Sequence, residues 1–136
     1  MWLSRGRLAG FSATVIVIGA LVAASVYAIR VQSQAREKAA QLTGGDQTRA
    51  PHILRRYGCT GCHAIRGVAS PGGLVGPDLS DIGKRIYVAG VRPNTPRNLI
   101  EWIVDPASVK PQTAMPVTGI TEPEARDVAA YLLSLR

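Results

Sequence analysis

Two cysteines and a histidine stand together at Cys59-Thr60-Gly61-Cys62-His63, and these are the two cysteines the chain has. Four chemistries compete for such a group. A zinc site wants four ligands, and the other histidine, His52, brings no second cysteine pair with it. Adjacent Cys62 and His63 are also awkward partners on one tetrahedral ion. A thioredoxin-like dithiol wants a βαβ setting, and no segment here reads that way. Two merely structural cysteines would leave His63 without a role. Covalent attachment of a c-type haem uses every member of the motif: each thiol adds across a haem vinyl group, and His63 becomes the proximal ligand of the iron. The spacing suits that chemistry, because one short loop must bring two thiols to the porphyrin edge and an imidazole beneath the metal.

A haem held by one histidine still has a sixth iron position. Beyond residue 50 the sequence has a single methionine, Met115, in Gln112-Thr113-Ala114-Met115-Pro116. Methionines fill cores more often than they bind metals. This one lies between Pro111 and Pro116, in a stiffened loop rather than on a helix face, so its thioether is presented at low entropic cost. It also follows His63 at a separation that lets the chain wrap a porphyrin and reach its opposite face. His52 is the alternative sixth ligand; one or two turns before the motif, it is expected to face solvent or a haem propionate.

The elements that must position these groups read as helices and loops. Residues 50–58 form a short helix leading into the motif, with Ile53, Leu54 and Tyr57 on one side. Residues 64–83 are rich in glycine and include Pro71 and Pro77, which is loop rather than strand, and such a loop can pack on a haem face. Thr95-Pro96 opens a second helix, with Thr as N-cap and Pro at the first position; Leu99, Ile100 and Ile103 supply its buried stripe, and Asp105-Pro106 stops it. Thr121-Glu122-Pro123-Glu124 is a capping box, followed by Val128, Tyr131, Leu132 and Leu135 at i, i+3, i+4, i+7. No segment alternates like a strand, so the expected class is all-α.

Composition points the same way. The 136 residues are 46% hydrophobic but only 5% aromatic, with one phenylalanine, Phe11. A small core usually leans on aromatic bulk; here the haem would supply it. The apolar share is uneven: from Leu8 to Ile29 no residue carries a charge, and Arg7 and Arg30 bound the run. As a helix the run would span about 33 Å, at about 1.5 Å per residue, enough for a hydrocarbon core of about 30 Å. Tyr27 near one end and Trp2 before the other fit an interfacial preference. The rival reading is a cleaved signal peptide, with Arg5 and Arg7 as its basic region and Val26-Tyr27-Ala28 as its small-residue site. The uncharged stretch is longer than the usual signal core of about 7–15 residues, which favours an uncleaved anchor. The expected organisation is an anchor over 1–30, a linker over 31–49 with Gly44-Gly45 as its hinge, and a haem domain over 50–136. Of the net charge of +7, more than half flanks the apolar run, where basic residues meet lipid headgroups. Basic residues form no run interleaved with aromatics, so nucleic acid is not an expected partner.

Cys59 to His63, then Gly76-Pro77-Asp78-Leu79, Met115-Pro116 and a closing helix ending in Tyr131-Leu132 together resemble a class I cytochrome c. Val75 to Arg85, and Pro93-Asn94-Thr95-Pro96-Arg97-Asn98-Leu99-Ile100-Glu101-Trp102 with Asp105-Pro106 and Lys110-Pro111, are especially similar to the cytochrome domain fused to subunit II of some haem–copper oxidases. The resemblance covers residues 50–136. Those fused subunits also carry a dinuclear copper domain with two further cysteines, which this sequence does not have, so it is similar to the cytochrome module alone. The resemblance implies a small class I cytochrome c fold around one covalent haem c, preceded by a single transmembrane helix. It implies that the Pro77 carbonyl accepts the proton on the outer nitrogen of His63, fixing its tautomer and raising its basicity. It also implies that Trp102, Arg85 and Arg92 lie near the haem propionates.

An iron with His63 and Met115 as axial ligands has no open site for a substrate, so the expected function is single-electron transfer rather than enzymatic bond chemistry. The expected partners are a quinol–cytochrome c reductase-type donor, a terminal-oxidase-type acceptor and the lipid bilayer, with the protein either a tethered shuttle or a fixed subunit of an oxidoreductase complex. The resemblance implies the bacterial cytoplasmic membrane, with the haem domain on the periplasmic side. The alternative is a haem sensor or small peroxidase-like enzyme, which requires a labile sixth ligand.

Overall fold

The computed structural model describes residues 3–69 and 75–136, with side chains from residue 13 onward. Trp2, the side chains of Arg5 and Arg7, and part of the glycine-rich loop lie outside the described residues. The chain divides into two compact units, Met1–Gln34 and Ala35–Arg136.

The first unit is helical throughout its described length and forms most of helix α1, Leu3–Thr43. The stretch Ala13–Thr43 is long and apolar enough to cross a membrane, with a mean hydropathy of 2.1 in its most apolar window, none of which is buried. Ile16, Ile18, Leu21 and Val22 are all more than half exposed. A helix apolar on every side needs a nonaqueous environment. Within this stretch the Ser25 hydroxyl finds its partner in the helix itself, donating to the Leu21 carbonyl at 2.8 Å.

The second unit is built on the closing helix. In chain order it holds the last turns of α1, then α2 (Ala50–Arg56), α3 (Cys59–Cys62), a 3₁₀ turn (Ile82–Lys84), β1 (Tyr87–Val88), β2 (Arg92–Pro93), α4 (Pro96–Val104), α5 (Pro106–Val109) and α6 (Glu122–Ser134). Helices α2 and α4 and the 3₁₀ turn pack on α6. Leu54 of α2, Leu99 of α4 and Val128 of α6 are each 1% exposed and form the centre of the core. The caps follow the sequence. Thr95 Oγ1 accepts from Asn98 N at 3.2 Å to start α4, and the Thr121–Glu124 capping box starts α6. Asp105 ends α4 and caps α5, its carboxylate accepting from Ser108 N at 3.2 Å.

Three features depart from the sequence reading. A two-residue antiparallel hairpin pairs Tyr87 with Pro93 and Val88 with Arg92, turning through Ala89 and Gly90, both at positive φ. Strands this short have no room to alternate. Second, α5 follows α4 directly, where the sequence suggested only a stop. Third, Gly44 and Gly45 do not form an open hinge. A Cβ on Gly45 would fall 2.2 Å from the Arg126 carbonyl oxygen, so this corner is pressed onto α6. Around it, Ala39 and Thr43 are buried, Asp127 accepts from Asp46 N at 2.6 Å and from Arg49 Nη2 at 3.1 Å, and Arg126 donates to the Thr43 carbonyl at 3.1 Å.

Candidate haem site

Gly58 takes a left-handed conformation (φ 73°) that ends α2 and admits the single turn of α3. That turn holds Cys59 and Cys62 three residues apart, on one side. His63 N donates to the Cys59 carbonyl at 2.9 Å and then leaves the turn with extended dihedrals, φ −113° and ψ 133°. Both thiols are free. Burial, the largest influence, pushes the Cys59 thiol above the usual cysteine range, and the neighbouring Cys62 adds to it.

The glycine-proline stretch after the loop forms a strap over the imidazole. Gly76 N donates to the Cys62 carbonyl at 2.8 Å, and Leu79 N to the Ala64 carbonyl at 2.8 Å. Between them the Pro77 carbonyl stands 2.8 Å from His63 Nδ1. A carbonyl can only accept, so Nδ1 carries the proton and donates it, which leaves Nε2 as the basic nitrogen. The strap lies so close to the ring that a Cβ on Gly76 would fall 2.4 Å from His63 Cε1. Glycine at 76 is a condition of this hydrogen bond.

Cys59, Cys62, His63, Pro77, Arg85, Trp102 and Met115 all line one cavity of about 340 Å³. Leu54, Leu99, Ile103, Val128 and Leu132 give it an apolar wall. Met115 enters from the loop between α5 and α6, its N–H donating to Thr113 Oγ1 at 3.0 Å. The donor set fits a haem: two thiols on one helical turn, an imidazole with its outer nitrogen already engaged, a thioether, and apolar walls in a cavity within the size range of about 300–1,000 Å³ usual for ligand pockets. Among the described residues no cluster of three or more His, Cys, Asp or Glu is placed to hold a bare metal ion.

Two residues named from the sequence stand elsewhere. Arg92 donates to Glu101 Oε2 at 2.7 Å and does not line the cavity; His52 is exposed on α2 and does not line it either. Arg85 lines the cavity while donating to the Asp78 carbonyl. Sequence reasoning missed the hairpin wall of Tyr87, Val88, Ala89 and Gly90, together with Ile82 of the 3₁₀ turn. Ala89-Gly90 was a local turn signal, but nothing in it pointed toward a cavity.

Comparison with known proteins gives three related sequences, each a cytochrome c oxidase subunit 2. That of Alkalihalophilus pseudofirmus is 35% identical over 85 residues, covering 62% of this chain and 24% of the relative. That of Bacillus sp. strain PS3 is 35% identical over 82 residues, covering 57% and 23%. That of Bacillus subtilis is 28% identical over 88 residues, covering 62% and 25%. The chain thus spans about a quarter of the length of these relatives. The Cytochrome c family profile matches residues 48–136, the stretch that holds the thiol turn, the strap and the methionine loop. On that match and this site, the chain belongs to the cytochrome c family.

Proposed function

We propose that the protein is a membrane-anchored, monohaem electron carrier. Residues 1–30 serve as the anchor, 31–49 as the connection, and 50–136 as the haem domain. Cys59 and Cys62 would hold the haem through thioether bonds, and His63 Nε2 and the Met115 sulfur would ligate its iron. When bound, the haem supplies a one-electron couple. The chain's own residues do the rest. Pro77 keeps the proton on Nδ1, which leaves the Nε2 lone pair for the iron. Leu54, Leu99 and Val128 exclude water, which favours the less charged reduced state, as does thioether ligation. Trp102 and Arg85, which line the cavity, would border the propionates, while Arg92 stays paired with Glu101 outside it.

The observation that carries this reading is the meeting of both thiols, the imidazole and the only methionine of this unit in one apolar cavity. The finer assignment is a carrier between a quinol–cytochrome c reductase-type donor and a terminal-oxidase-type acceptor, with the haem domain on the periplasmic side of the bacterial inner membrane. The similarity to oxidase subunits supports it, whether the protein works as a tethered shuttle or as a resident subunit. The test is covalent attachment. In a host that matures c-type haem, the denatured chain is expected to retain its haem on an electrophoretic gel, C59S and C62S to weaken the retention, and the double variant to abolish it. Haem loss from the denatured wild-type chain would overturn the reading.

A further inference from the structure

Between the two backbone bonds that pin the strap, Gly76 N to the Cys62 carbonyl and Leu79 N to the Ala64 carbonyl, Pro77 has no N–H to give. The two carbonyls inside that interval are taken by side chains. His63 donates to Pro77 O, and the Arg85 guanidinium donates to Asp78 O. The two acceptors are one peptide apart, so whatever holds the second restrains the first. Asp78 is further fixed by its own carboxylate, which accepts from Ser80 N at 2.7 Å. Arg85 is itself anchored. Asn94 Nδ2 donates to the Arg85 carbonyl at 3.0 Å and to the Ile82 carbonyl at 2.8 Å, and Asn94 N donates to the Ile86 carbonyl at 2.8 Å. A chain of contacts therefore runs from Asn94 through Arg85 and Asp78 to the acceptor of the His63 proton.

We propose that Arg85 is a positioning residue for His63: by holding the Asp78 carbonyl it keeps the neighbouring Pro77 carbonyl against the imidazole, and so sets the basicity of that ring as a ligand. The proposal rests on the haem reading above and gives Arg85 a task beyond bordering a propionate. The two tasks act on the reduction potential with opposite sign. A guanidinium near the haem favours the less positive, reduced iron, so losing its charge lowers the potential. A firm Nδ1–H···O=C bond makes the imidazole more basic and favours the oxidised iron, so losing the restraint raises it. The potential alone therefore mixes the two, and the ring proton separates them. A planar guanidinium fork orients a carbonyl in a way that an ammonium does not.

The experiment uses the full-length, haem-loaded protein in detergent micelles, reduced so that the iron is diamagnetic, and follows deuterium exchange of the His63 Nδ1 proton by NMR. In R85M, which keeps most of the stem and no donor, exchange is expected to be about tenfold faster, the scale of one ordinary hydrogen bond. R85K keeps a donor and is expected to fall between R85M and wild type. Exchange in R85M equal to wild type overturns the proposal, whatever the potential does, and leaves Arg85 a purely electrostatic role. Should R85M fail to accumulate, R85L, which likewise carries no donor, is read by the same criterion. A wild-type chain that carried no covalent haem would instead overturn the underlying reading, before any variant was compared.

Discussion

A methyl group at position 76 would sit 2.4 Å from His63 Cε1 and 2.6 Å from Nδ1, well inside contact distance. Gly76→Ala must therefore move either the ring or the strap, and the strap is tied on both sides by backbone bonds. The expected cost is about 1–3 kcal/mol, as for other overpacked sites. Chemical denaturation of the haem-loaded protein measures it, together with a weakened low-spin spectrum; an unchanged midpoint would refute the close approach. At the same scale, Glu124 collects hydrogen bonds from Thr121 and Tyr57, which together with nearby Arg56 hold its carboxyl below the usual glutamate value. A depressed folded-state pKa gives stability that is present above the unfolded value, about 4.3 for glutamate, and is lost as pH falls through the folded value. Asp46, Asp78 and Asp81 are lowered in the same direction, each chiefly by a hydrogen bond to its own side chain. Unfolding curves recorded from pH 6 down to pH 2 should show falling stability through this window, and E124Q should show a shallower fall. An identical slope would remove Glu124 from the account.

Among the elements, the corner between α1 and α2 decides how residues 44–49 behave. Asp127 is 3% exposed and holds both Asp46 N and the Arg49 guanidinium, the latter with Nε at 3.0 Å from Oδ2. Asp127→Ala removes the acceptor for a charged and a backbone donor at once, and should destabilise the haem domain by about 2 kcal/mol. It should also expose the Arg49–Ala50 bond to trypsin; equal cleavage in wild type and variant would show that the corner is open regardless. Nothing at Asp127 announced this in the sequence, because its partners lie some eighty positions away and a lone Asp beside a helical stripe reads as a solvated face. Helices α4 and α6 were legible because their starts are chemically local: Thr95-Pro96 and Thr121 to Glu124 meet their own backbone within one turn. The Cys59–His63 turn was legible for the same reason. The hairpin wall of the cavity was not, since two-residue strands give no periodicity, and the engagement of Arg92 with Glu101 depends on how the hairpin lies on α4.

On the scale of the whole molecule, two kinds of surface require two kinds of surroundings. The exposed apolar side chains of α1 call for lipid, and the cavity of the second unit calls for a flat apolar cofactor. The full-length protein should stay with the membrane fraction through alkaline carbonate extraction. Ile18→Arg combined with Val22→Arg, on one face of α1, should release a measurable share, at about 2.5–3.5 kcal/mol for each arginine. Extraction of the unmutated chain would contradict an anchor. The central claim is that Met115 closes the sixth iron position, so that the protein carries electrons and binds no substrate at the metal. It is tested most directly by a carbon monoxide difference spectrum of the dithionite-reduced, haem-loaded protein. The account predicts no change for the wild-type chain and a clear response for Met115→Ala; a clear response from the wild-type chain would contradict it.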